Sequence, residues 1–192
     1  MFSGAWRLEF GASTSQLTDP LPLAPMKTLE PPHSHFVSAA EGWLELGDID
    51  EARAELERLG ESFERHPEVL RVRWAISAEE KDWPTALRIA RTLVRTTPES
   101  SCGWLHQAYA LRRVPEGGVQ AAWDSLLPAL KTFPKIAIIP YNLACYACQL
   151  QQLDRARELL QRALTTGDKD HIKQISLKDA DLKLLWAEIH AM

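Results

Sequence analysis

The stretch YNLACYACQLQQLDRARELLQRAL, residues 141–164, decides the fold. In its first half Leu143, Ala144, Ala147 and Leu150 recur at steps of one, three and three, so all four share one face of a 3.6-residue helix. In its second half Leu153, Ala156, Leu159, Leu160, Ala163 and Leu164 recur at three, three, one, three and one. Gln151, Gln152 and Leu153 lie between the halves, and Asp154 places a carboxylate at the positive end of the second helix. The small side chains of Ala144 and Ala156 let two backbones approach closely. The stretch therefore reads as a helix hairpin. A hairpin of this length cannot bury both apolar faces alone, so copies of it are expected to stack beside it.

The copies are present upstream. Aligned on the alanine that opens the second helix, Ala52, Ala86, Ala122 and Ala156 stand 34, 36 and 34 residues apart. The next ridge, Leu56, Ala90, Leu126 and Leu160, repeats those intervals, as do Leu59, Leu93, Ala129 and Ala163. Pro98 and Pro134 close two units. On these residues the chain resembles the tetratricopeptide repeat family, whose unit is a helix–turn–helix of 34 residues with a small residue at the crossing and a closing proline. The clearest matches are Trp104 with Ala108, then Ala122, Leu126 and Pro134, and Leu143 with Ala144, then Ala156, Leu160 and Ala163. The third unit carries two extra residues in its turn, within residues 114–118. The second unit has Arg73 and bulky Trp74 where the family prefers leucine and a small residue, and in the first Pro67 comes three residues late. The resemblance implies an all-α chain, a right-handed superhelical α-solenoid of four hairpins over residues 33–166, closed by capping helices over residues 167–192.

Composition bounds the function. A chain of 192 residues is long enough for one continuous core, and its formal charge of −4 has the wrong sign for a general nucleic-acid binder. No apolar run approaches the roughly 20 residues that span a bilayer, and the first residues lack the apolar core of a signal peptide. Three cysteines without framework spacing suit a reducing compartment, so a soluble, cytoplasmic protein is expected.

Residues 1–32 differ from the rest. They hold Pro20, Pro22, Pro25, Pro31 and Pro32 without helical periodicity and read as an extended or disordered leader, in which Trp6, Leu8 and Phe10 alternate as a short strand would and Met26 offers a second translation start. The first unit carries nine acidic residues against Arg53, Arg58 and Arg65, whereas residues 67–113 carry eight Lys or Arg against five Asp or Glu. This division either marks ordinary solvated faces or steers a bipolar ligand or self-association. Near the C-terminus Asp170 to Ser176 reads as a short helix, and residues 181–190 as another with Leu182, Leu185, Trp186 and Ile189 on one face, the expected cap with Trp186 as its largest buried piece.

No catalytic set emerges. Cys145 and Cys148 form a C-x-x-C inside a helix rather than at its N-terminus, where a redox thiol pair would gain acidity, and small apolar packing or groove lining accounts for them better. The histidines, His33, His35, His66, His106, His171 and His190, lack partners at metal-ligand spacing, and no phosphate loop or G-x-S-x-G occurs. Trp43, Trp74, Trp83, Trp104 and Trp123 recur where helix pairs meet and are expected in the core. Arg88, Arg91 and Arg95 form a stripe on a second helix, expected to be solvated.

The resemblance further implies that the first helix of each unit lines a concave groove. By position the lining would comprise Glu41 and Glu45, then Arg71 and Glu79, then Tyr109, Arg112 and Arg113, then Tyr141, Asn142, Cys145, Cys148 and Gln149. Asn142 offers both a donor and an acceptor to an extended backbone, Arg112 a partner for a carboxylate, and Tyr109 and Tyr141 flat contact area. The Lys and Asn clamp of the chaperone-tail binders is not reproduced: Val37, Glu41, Val72 and His106 occupy the corresponding places, and only Asn142 fits. The expectation is a non-enzymatic scaffold without cofactor or metal that binds a protein or peptide segment, with neither nucleic acid nor membrane as partner. The alternatives are a small-molecule or peptide-signal sensor that closes on its ligand, and a thiol enzyme using Cys145 and Cys148.

Overall fold

The structure, a computed structural model, describes residues 28–191. The alternation of Trp6, Leu8 and Phe10, the prolines Pro20, Pro22 and Pro25, and Met26 lie outside the described residues. Four hairpins follow in order: α1 (His33–Leu46) with α2 (Ile49–Glu57), α3 (Pro67–Glu79) with α4 (Trp83–Thr96), α5 (Ser101–Leu111) with α6 (Val119–Leu126) and α7 (Ala129–Thr132), and α8 (Ile138–Gln149) with α9 (Leu153–Thr166). The chain closes with α10 (Lys169–Ser176), a 3-10 turn (Ala180–Leu185) and α11 (Trp186–Ala191). Among the described residues there is no strand.

The four alanines of the sequence alignment are equivalent joints. Each is fully buried, and each donates its amide to the carbonyl of the residue four before it: Ala52 to Asp48, Ala86 to Asp82, Ala122 to Gly118 and Ala156 to Gln152, at 3.2, 2.9, 3.0 and 3.0 Å. The two following ridges are buried throughout. The turns repeat as well. In units one, two and four a residue with positive φ, Gly47, Lys81 or Gln151, ends the first helix, and the next amide donates back to the carbonyl of Trp43, Ser77 or Ala147 at 2.8–2.9 Å, satisfying a carbonyl the helix leaves orphaned. Asp48 and Asp82 then cap the second helix, accepting from the amides of Glu51 and Thr85.

The third unit solves the same problem differently because it has two more residues to place. Gly118, at φ +109°, donates its amide to the Leu111 carbonyl at 2.9 Å. Gly117 is folded so tightly beneath it that a Cβ there would lie 1.8 Å from the Leu111 oxygen. The second helix of this unit then breaks at Pro128, which has no amide to donate, and resumes as α7. In the first unit, where no proline closes the hairpin, α2 stops early and a 3-10 turn (Glu61–Phe63) leads to Pro67, the first residue of α3.

The second helices of the first three units each pack between two first helices: α2 between α1 and α3, α4 between α3 and α5, α6 between α5 and α8. At the α4/α5 joint Gly103 allows the closest approach, since a Cβ there would meet the Val94 nitrogen at 2.9 Å. Trp74, at the position where the other units hold Ala40, Ala108 and Ala144, is fully buried and stacks on His106 of α5 with ring centroids 3.7 Å apart. The bulky residue thus fills the space between two first helices instead of spreading one hairpin. Of the other tryptophans at the joints, Trp123 is buried, whereas Trp43, Trp83 and Trp104 are only half-buried. Arg88, Arg91 and Arg95 are exposed on α4. α10 covers α9, and the 3-10 turn lies on α8 with Leu182 and Leu185 buried, as is Ile189 of α11. Trp186 is half-buried rather than the largest buried piece of this segment, because its indole is turned to hydrogen-bond backbone.

Candidate functional site

The candidate residues stand on the first helices α1, α3, α5 and α8, with Arg112 and Arg113 just past the C-terminal end of α5, and they fall into two groups. Glu41 and Arg71 pair across α1 and α3, Arg71 Nη2 donating to Glu41 Oε1 at 3.3 Å. Burial raises the Glu41 carboxyl above the ordinary carboxylate range; Arg71 opposes the shift, while Glu68 and Glu45 add to it. Tyr109 of α5 and Arg113, two residues past the end of that helix, form one cluster with Trp83. The Arg113 guanidinium sits 3.4 Å from the centroid of the Tyr109 ring and 5.1 Å from that of Trp83, and it donates to the Tyr109 carbonyl at 2.8 Å. Tyr109 also packs edge-on to Trp74. Burial pushes the Tyr109 phenol up and the Arg113 guanidinium down. This half of the face is open to solvent at Glu45.

The other half is occupied by the chain's own C-terminal segment. Tyr141, only 1% exposed, donates its hydroxyl to Asp179 Oδ2 at 2.8 Å. The Cys145 thiol lies 3.6 Å from the same oxygen, and Asp179 Oδ1 accepts the Asp181 amide at 3.0 Å. Arg112 grips Asp181 with both arms of its guanidinium, Nη1 to Oδ2 and Nη2 to Oδ1, the latter at 2.7 Å. Gln149 donates to the Asp181 carbonyl at 3.3 Å. Asn142 turns away from this segment and donates to the Ile138 carbonyl of its own helix at 2.8 Å. Trp186 ties the segment to itself, its indole N–H lying 3.1 Å from the Ser176 carbonyl and 3.2 Å from that of Asp179. Beyond it Arg157 of α9 holds both oxygens of Glu188, at 2.7 and 2.8 Å.

The electrostatics follow from this enclosure. Hydrogen bonding to Asp181 raises the Arg112 guanidinium further above its ordinary value than burial lowers it, so the charge is fixed. Burial pushes the phenols of Tyr141 and Tyr146 far up, aided at Tyr141 by Cys145 and the Asp179 carboxylate. Cys145 is driven well above the usual thiol range by burial and by Asp179, and burial raises Cys148 as well. A nucleophilic or redox thiol needs the opposite shift, so burial here holds both thiols in the protonated form. The third thiol, Cys102, lies 3.4 Å from His106 Nδ1, with the imidazole sandwiched against Trp74. Among the described residues no group of three or more His, Cys, Asp or Glu comes together as a metal site requires, and no helix is long and apolar enough to cross a membrane.

Asp179 and Asp181 are the residues that sequence reasoning passed over. Their only local signal is an Asp-x-Asp ahead of a leucine-rich turn, which marks a helix cap as readily as a ligand. Nothing local shows that it meets Arg112, 69 residues upstream.

Comparison with known proteins bears on the fold. No family model matches the sequence, nor does any curated protein. Among solved structures, TTC0263, described as a thermophilic TPR protein in Thermus thermophilus, is 20% identical over 83% of this chain and 100% of that one, with a TM-score of 0.62. MamA from Desulfovibrio magneticus RS-1, residue 41 to its end, is 18% identical over 84% of this chain and 93% of its own, with a TM-score of 0.60. The MamA RS-1 ArsTM double mutant matches to the same degree over 92% of its chain. With four equivalent alanine joints and these likenesses across the stacked hairpins, the chain has the tetratricopeptide-repeat-like fold, an α-solenoid of helix hairpins.

Proposed function

We propose that the protein is a non-enzymatic scaffold that holds a polypeptide segment of a partner protein along its first-helix face, the concave side of the solenoid. One observation carries the reading: this face holds a polypeptide already, residues 179–185 of the same chain, through side chains of two successive first helices. Its donors pair with carboxylates and a backbone carbonyl, and its pockets take leucines, which is the chemistry of peptide recognition rather than of small-molecule turnover. The absence of activation at Cys145 and Cys148 argues in the same direction. The part of the face left for a partner runs from Glu41 and Glu45 through Arg71 to Tyr109 and Arg113, with an ion pair for register and an aromatic cluster for contact area.

A photo-reactive residue placed at position 45 or at position 109 tests this. Both positions are expected to capture the same short segment of one partner, identified by mass spectrometry of the cross-linked peptide, whereas a probe at position 91 on exposed α4 captures nothing. Capture from position 91 alone, or from none of the three in the cell that expresses the protein, refutes the scaffold reading.

A further inference from the structure

We propose that residues 179–191 form a removable strap over the C-terminal half of the first-helix face, and that the segment for which the strap gives way carries two carboxylates one residue apart followed by leucines. The inference rests on the scaffold reading and goes beyond it by naming the chemistry of the ligand. Its basis is the way the strap is held. Leu182, Leu185 and Ile189 are buried and Trp186 is half-buried; the remaining anchors are polar. Arg112 and Gln149 hold Asp181, Tyr141 and Cys145 hold Asp179, Arg157 holds Glu188, and Lys173 Nζ donates to the His190 carbonyl at 3.3 Å. Leu184 points outward, 56% exposed. Release returns conformational freedom to the residues of the strip, and that gain opposes three fully buried aliphatic side chains and a set of salt-sensitive pairs. Such strips open far more often than the domain unfolds.

What opening uncovers is a finished site. Tyr141, Cys145 and Cys148 are buried, and Arg112, Tyr141 and Cys145 meet the strap directly, at Asp181 and Asp179. The bidentate Arg112 and the Tyr141 hydroxyl are separated as the carboxylates of an Asp-x-Asp are, since that is the sequence they hold. A segment from another molecule with the same two carboxylates and leucines finds every partner the strap leaves behind. An uncharged segment leaves Arg112 without its counter-charge and Tyr141 without an acceptor.

The cysteines report the opening. In the full chain, alkylation of Cys145 and Cys148 by iodoacetamide, resolved by peptide mass spectrometry against half-buried Cys102, is expected to proceed through a step that low urea barely changes and that occurs at least 100-fold more often than global unfolding. Asp181→Asn loosens the strap but leaves the site intact; labelling of both cysteines rises at least tenfold. A peptide with the sequence of residues 177–191, which contains no cysteine, then restores their protection, and the same peptide with both aspartates changed to asparagine does not. The proposal is overturned if Cys145 and Cys148 label only as fast as the whole chain unfolds, or if the acidic peptide protects no better than its asparagine form. The wild-type measurement decides the first point even where Asp181→Asn fails to fold. A partner cross-linked at positions 45 and 109 with labelling unchanged keeps the scaffold and removes the strap.

Discussion

Replacing Tyr141 by phenylalanine removes one oxygen from the chain and tests how the C-terminal segment is held. The Tyr141 ring is buried on α8 and its hydroxyl donates to Asp179 Oδ2 at 2.8 Å. Asp179 is itself buried, and with the hydroxyl gone the Cys145 thiol, a weak donor at 3.6 Å, is the remaining side-chain partner recorded for that oxygen. A hydrogen bond to a charged group contributes about 1.5–3 kcal/mol, and its loss leaves the acceptor buried, so Tyr141→Phe is expected to cost about 2 kcal/mol. For a chain of this size that lowers Tm by about 4–8 °C. The pH dependence identifies the group. Because the Tyr141 pKa is raised in the folded state, its contribution is whole below the unfolded value of about 10 and is lost as pH climbs past it: the unfolded chain gives up the proton and the folded chain keeps it. Wild-type stability therefore falls above pH 10, with this one tyrosine contributing a slope of about 1.4 kcal/mol per pH unit that the phenylalanine variant lacks. Urea titrations by circular dichroism at pH 7 and at alkaline pH read both quantities, and a cycle with Asp179→Asn isolates the pair. A loss under about 0.5 kcal/mol, or an alkaline slope the same in both proteins, refutes the account of how Asp179 is held.

Gly117→Ala should cost about 3 kcal/mol or more, since the new methyl meets the Leu111 oxygen, whereas Gly118→Ala, strained at φ +109° but facing open space, should cost about 1–2 kcal/mol; thermal melts of the two compare steric contact with backbone strain in one turn. Leu160→Ala, at a fully buried joint, should lose about 2–5 kcal/mol in urea unfolding. Glu41→Gln works in the other direction. The raised carboxyl means that the ionised form is held poorly, a penalty present at pH 7 that disappears as the group protonates, so the variant matches or exceeds wild-type Tm at pH 7 and loses that advantage near pH 4. Arg157→Ala removes solvent-exposed pairs to Glu188 and Asp154 and should leave Tm in 0.15 M salt unchanged within error.

The solenoid was legible because its signal is repeated. One alanine in a helix says little, but four at nearly constant intervals, each followed by two large or small apolar residues at the same offsets, mark a joint that only a stack of hairpins supplies. The turn chemistry sharpens the repeat in the structure. Asp48 and Asp82 stand four residues before their alanines and cap the second helices, and Gly47, Lys81 and Gln151 share the left-handed position before the cap. Only glycine adopts that conformation cheaply, so Lys81 and Gln151 hid a repeat that Gly47 displayed. Trp74 was harder still. Its size contradicts the small-residue position it occupies, and the contradiction is resolved by His106 in the next unit, a contact that pattern reading of either helix alone does not contain.

The candidate face divides along the same line between local and distant information. Periodicity and the family resemblance together place Tyr109, Tyr141, Cys145 and Gln149 on first helices, where α5 and α8 hold them, while Arg112 and Arg113 fall just past the end of α5. What each side chain meets there depends on how the chain returns after α10; the spacing of Leu182, Leu185 and Ile189 marks a helix face but not what it packs on, and the two aspartates have no periodic signature. A groove residue and a core residue look alike in sequence, both being apolar or aromatic at helical spacing, until the occupant is known. Tyr141 is the clearest instance: proposed as flat contact area for a partner, it lies buried beneath Asp179. Under the strap proposal these two descriptions are the closed and open states of one surface. The buried tyrosine, the two protonated thiols and the clamped arginine are then the receptive surface in its resting condition, stabilised by a stand-in of the same chemistry as the ligand.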